Sequence, residues 1–110
     1  MSYEQLKQQL DDYNWDNGFE IPSQIISNPG CDLSLALEVF YLTDGYSFLM
    51  KISNEEKRNN EWYTFIENLY QDINDGKYLK SNHRFKIPLT KVQCFKLRKN
   101  NISNLFLEDI

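Results

Sequence analysis

The chain has 110 residues, is 41% hydrophobic and 15% aromatic, and carries a net charge of −4. Seven Tyr, seven Phe and two Trp exclude a disordered acidic chain, which would be poor in aromatics. No apolar run approaches the roughly 18 residues of a membrane span. The length suits one domain over residues 1–110. The start, MSYEQLKQQLDD, lacks the cationic and apolar regions of a signal peptide, so a cytoplasmic location is expected. Cys31 and Cys94 then read as buried thiols, and one His with two isolated Cys gives no zinc-ligand spacing. No metal and no cofactor is expected.

Charge is unevenly spread. Residues 1–76 hold fourteen acids and four bases, and residues 77–110 hold eight bases and two acids, giving −10 and +6. An acidic body with a basic end can dock on itself or present two faces to partners.

Ser2 and Gln5 form a capping box for a first helix, with Tyr3, Leu6, Leu10 and Tyr13 on one face. Asn14, Asn17 and Gly18 stop it. Pro22 fits the first turn of a short second helix with Ile25 and Ile26 inward, ended by Asn28, Pro29 and Gly30. Asp32 reads as the N-cap of a helix over 33–42, apolar apart from Ser34 and Glu38 and therefore buried at the centre. Thr43, Asp44 and Gly45 make a turn. In Tyr46–Ile52 the alternation of Tyr46, Phe48 and Met50 fits a strand, but Leu49 and Ile52 break it, and a short helix is preferred.

Ser53 and Glu56 suggest a second capping box, opening a long amphipathic helix over 54–75. Its apolar stripe is Trp62, Phe65, Ile66, Leu69, Tyr70 and Ile73, and Gly76 is its left-handed stop. From Leu89 to Lys99 a helix is preferred, with Pro88 in its first turn and Leu89, Val92, Cys94 and Phe95 inward. The alternative is a short β-hairpin turning at Asn100 and Asn101. The fold class is all-α: a single compact helical domain.

Reaction chemistry is weakly supported. Cys31, just before a helix, could with His83 and an Asp form a nucleophile, base and orienter, but the base would come from a loop 52 residues away. The plainer reading is a buried thiol and a solvated loop histidine. The acidic patch Asp11, Asp12, Asp16 and Glu20 has no phosphate loop or ligand frame for a cation, and reads as a solvated face. The basic end interleaves Tyr78, Phe85 and Phe95 with Lys and Arg, yet the −10 body opposes binding of nucleic acid.

Trp15, Asp16, Gly18, Pro22, Ile25, Asn28, Pro29, Cys31, Asp32, Ala36, Leu37, Phe40, Asp44, Gly45 and Tyr46 form a run that resembles a bacterial family defined only as a domain of unknown function. Its members carry NWDDG, an apolar segment after Pro, NPxCD, AL, F and a DG turn. Asn17 stands here where an acid is expected, and Thr43 where a small residue is common. The resemblance extends to immunity proteins of polymorphic or contact-dependent toxin systems. It implies a non-enzymatic protein that binds a cognate toxin domain, basic and of nuclease type. The contacts it implies are Asp11, Asp12, Trp15, Asp16, Glu20, Glu55, Glu56 and Glu61. Trp62 is a second candidate anchor, although its place in the stripe suits the core. The protein is expected to be a monomer or weak dimer that binds neither nucleic acid nor membrane. The alternative is a small helical adaptor that self-associates.

Overall fold

A computed structural model describes residues 1–55 and 60–110 of the chain. Six helices follow in order: α1 (Tyr3–Asp11), α2 (Glu20–Ser27), α3 (Leu33–Leu42), α4 (Gly45–Ser53), α5 (Glu61–Asn74) and α6 (Lys91–Lys99). Short 3-10 turns occupy Trp15–Asn17 and Asn104–Phe106. Among the described residues there is no strand, and the fold is all-α. No helix among them is long and apolar enough to cross a membrane.

Local chemistry sets most helix starts. Ser2 and Gln5 form the expected capping box on α1, and the Asp32 carboxylate accepts the Leu35 amide at 2.9 Å to start α3. Leu35, Ala36, Leu37, Val39 and Phe40 in α3 are wholly buried, as expected of the central helix. Asp44 takes a left-handed conformation at φ 64°, which turns the chain from α3 directly into α4. The next residue must be small, because a Cβ on Gly45 would overlap the Phe40 ring.

The helix expected over 54–75 is shorter than its sequence pattern. Ser53 ends α4 instead of opening α5, Glu55 adopts φ 58°, and α5 begins after Asn60, whose side chain accepts the Tyr63 amide at 2.8 Å. Asn60 and Glu61 are exposed, and the fully buried side chains of α5 begin at Tyr63. Glu56 lies outside the described residues. Phe65, Ile66, Leu69 and Ile73 are buried as the stripe predicts, Trp62 and Tyr70 at its edges are half-exposed, and Tyr63 joins the buried face. Gly76, at φ 79°, ends α5 as expected.

Thr90 and Gln93 cap α6, so Pro88 and Leu89 precede the helix. The hairpin alternative is corrected: Asn101 is a left-handed helix stop at φ 67°, and the Ile102 amide returns to the Leu97 carbonyl. Cys94 and Leu97 face inward, but Val92 and Phe95 face solvent, contrary to expectation. The core beneath α6 is filled instead by Ile102, Phe106 and Leu107 from the following segment. Phe106 meets Phe40 at 5.1 Å and stacks on Tyr70 at 4.9 Å, which ties the C-terminal third to α3 and α5.

Candidate partner-binding site

Two open grooves share one wall, Phe19. That ring stacks on Phe65 with centroids 4.8 Å apart, which fixes the end of α2 against α5. The first groove, of about 590 Å³, has Trp15, Phe19, Leu42 and Trp62 as apolar walls, with Asp44 and Lys51 among its polar groups. Asn14 positions Trp15 by accepting the Asp16 amide at 3.0 Å, and Tyr13 packs edge-on against the indole. The Trp62 indole N–H donates to the Thr43 carbonyl at 2.6 Å, which holds that ring across the α3–α4 turn. Lys51 Nζ lies 5.8 Å from the Trp62 ring centroid. Leu42 is 52% exposed although its helix is otherwise the most buried, so an apolar side chain is presented at the groove.

The second groove, of about 600 Å³, runs between α2 and α5. Its floor is apolar (Phe19, Ile26, Phe65, Leu69) and three acids line it: Glu20, Glu61 and Asp72. Helical spacing explains the set. Residues 61, 65, 68 and 72 fall on one side of α5, beside the core stripe.

Of the residues expected to bind a partner, the structure places Trp15 in the first groove and brings Glu20 and Glu61 together in the second. Asp16 is exposed next to Trp15 without lining either groove. Asp11 is held by Lys7 at 2.8 Å, and Lys7 also bonds Glu38 at 2.7 Å. Asp12 accepts from Gln8 at 2.8 Å. Those two acids belong to the end of α1 and not to the grooves. Glu55 sits in the turn after α4, and Glu56 is outside the described residues. Phe19, Leu42 and Asp72 were missed by sequence reasoning. Only Asp72 carried a local signal, as the residue eleven positions after Glu61 on the same face.

A separate cluster joins α1, α3 and the loop before α6. His83 Nδ1 lies 2.6 Å from Asp32 Oδ2, and the Ser81 hydroxyl donates to the same oxygen at 2.6 Å. The Tyr3 ring stacks on the imidazole at 3.5 Å, and Nε2 is 4.0 Å from Glu4. Burial raises the affinity of Asp32 for its proton. Hydrogen bonds from Ser81, the Leu35 amide and His83, with the charge of His83, outweigh that and hold the carboxyl below its ordinary pKa. The expected solvated loop histidine is thus half-buried in a clasp.

Ser81, His83 and Asp32 are the residue types of an acyl-transfer triad, but the geometry differs. A nucleophilic hydroxyl must meet the imidazole nitrogen opposite the carboxylate. Here Ser81 Oγ lies 3.0 Å from Nδ1, the same nitrogen that faces Asp32, so His83 does not activate it. Cys31 is buried, and its thiol donates to the Asp32 carbonyl at 3.7 Å. Burial first, and the Asp32 charge second, push its pKa up to about 12, leaving no thiolate at neutral pH. Among the described residues no three His, Cys, Asp or Glu side chains are grouped to hold a metal ion.

Fold and grooves define an all-α domain that presents tryptophan and carboxylate side chains on adjoining surfaces. A family model described as "Domain of unknown function (DUF4274)" matches residues 2–74, and the chain belongs to that family. No curated protein and no solved structure matches the chain significantly. Every residue named in the two grooves falls within the matched stretch, whereas α6 lies beyond it.

Proposed function

We propose that this chain is a non-enzymatic bacterial protein-binding domain, an immunity protein that neutralises a cognate toxin domain in the cytoplasm. The observation that carries the reading is the pair of grooves joined at Phe19, one walled by Trp15 and Trp62, the other lined by Glu20, Glu61 and Asp72. Tryptophans held at the edge of a cleft are common interface anchors, because a large rigid ring loses little entropy on binding. Carboxylates beside them favour a cationic partner and speed its approach. Nuclease domains are cationic because their substrate is a polyanion, so an acidic inhibitor occupies the substrate's electrostatic place.

Co-expression with the product of the adjacent upstream gene tests the proposal. That product alone should arrest growth, and this chain should relieve the arrest and co-purify with it. A harmless neighbour, or a toxic one that neither binds nor is relieved, would sink the reading.

A further inference from the structure

Helix α6 is docked by Cys94 and Leu97, yet it turns other apolar side chains outward: Val92 is 63% and Phe95 57% exposed. With Lys96 and Lys99 these residues form a ridge at the i, i+3, i+4, i+7 spacing of a helix that binds in a groove. Lys99 Nζ stands 4.8 Å from the Phe95 ring centroid. Lys91 and Arg98 flank the ridge, where Glu108 and Asp109 lie beside them. Among the described residues Lys91, Lys96, Arg98 and Lys99 make no ion pair.

The same chain carries a surface of opposite sign and comparable length. Glu20, Glu61 and Asp72 line the α2–α5 groove above its apolar floor. At a rise of 1.5 Å per residue, Glu61 to Asp72 extends about 16 Å, and the nine residues of α6 about 13 Å. We propose that the α6 ridge of one copy docks in the α2–α5 groove of a second copy. Val92 and Phe95 lie against the partly exposed Phe19 and Ile26, and Lys91, Lys96 and Lys99 face Glu20 and Glu61, Asp72 being paired with Lys77 at 2.8 Å. The inference rests on the proposal above that this groove binds protein.

Charge favours a second copy over a polyanion as the occupant. Both complementary surfaces are present in one chain, whereas a polyanion would also meet the −10 body. The contact joins unlike surfaces, so it either closes by mutual exchange of helices or continues from copy to copy. A groove filled by a neighbour is closed to the cognate partner. Self-association and partner binding therefore exclude each other.

Sedimentation velocity of the full chain, over a concentration series at about 20 mM and about 500 mM salt, tests the contact. Association is expected at low salt and should be about tenfold or more weaker at high salt. Two charge-reversed variants, Lys91→Glu/Lys96→Glu and Glu20→Lys/Glu61→Lys, change exposed side chains; circular dichroism checks their folding. Each alone should associate about tenfold or more weakly, and mixing them should restore association, because a reversed helix then meets a reversed groove. A wild type that stays monomeric at every concentration would overturn the proposal. So would a mixture no tighter than its components. A monomeric wild type whose α6 binds a single-stranded oligouridine probe, with loss in the α6 variant, would assign the ridge to a polyanion instead. No toxin enters these measurements, so their failure is separate from failure of the immunity reading. The α6 variant should still bind the cognate toxin.

Discussion

Phe106 lies beyond the family-matched stretch, yet it sits in the centre of the core. It is fully buried, it contacts the rings of Phe40 and Tyr70, and its carbonyl accepts the Tyr41 hydroxyl. Phe106→Ala removes the ring and leaves a cavity between α3 and α5 that rigid aromatic neighbours cannot close. Such truncations cost about 3–5 kcal/mol. Set against a domain stability of about 5–15 kcal/mol, that lowers the folded-to-unfolded ratio by about two to four powers of ten. At about 5 °C per kcal/mol for a domain of this size, the melting temperature should fall by about 15–25 °C. Urea unfolding followed by circular dichroism measures the loss. Phe95→Ala, at an exposed site of the neighbouring helix, should shift stability by no more than about 0.5 kcal/mol. A Phe106→Ala loss below about 1 kcal/mol, or equal effects at the two sites, would refute a C-terminal third that completes the core.

Two further predictions concern the fold. Because the Asp32 carboxyl is held below its ordinary pKa in the folded chain, its contribution is present above the unfolded value and is lost as pH falls through the folded value. Wild-type stability should therefore decline faster below about pH 4 than that of Asp32→Asn, which keeps a capping oxygen but not the charge. Parallel urea-stability curves between about pH 2 and pH 6 would contradict the clasp. Gly45→Ala drives a methyl group into the Phe40 ring and should cost about 1–3 kcal/mol in the same unfolding assay. A neutral substitution would show that the α3–α4 junction is looser than described.

Where structure follows from local chemistry, the sequence reveals it. Ser2, Asp32 and Gly76 act as cap, cap and stop, and the apolar run Leu33–Leu42 is the central helix. Local chemistry also misleads. Ser53 with Glu56 imitates a helix start, but Ser53 ends α4 and the Asn60 cap opens α5. The facing of α6 depends on which apolar groups compete for the core. Phe106 and Leu107 win it, and Phe95 is left outside. The acids of the site were half legible. Glu20 and Glu61 are visible as exposed charges, but their meeting with Phe19 and Asp72 depends on how α2 lies along α5. The Asp32–His83 contact spans 51 residues and left no periodic or spacing signal.

The proposed hold of the aromatic and acidic grooves on a cationic toxin domain is read out by calorimetric titration of that domain into wild type and into Glu20→Lys/Glu61→Lys. Both substitutions are exposed, so folding should be retained. Binding should weaken with salt and fall at least about tenfold in the variant, consistent with losses of about 0.7 kcal/mol or more per reversed charge. Equal affinity for the two proteins would place the interface elsewhere and refute a toxin held in these grooves.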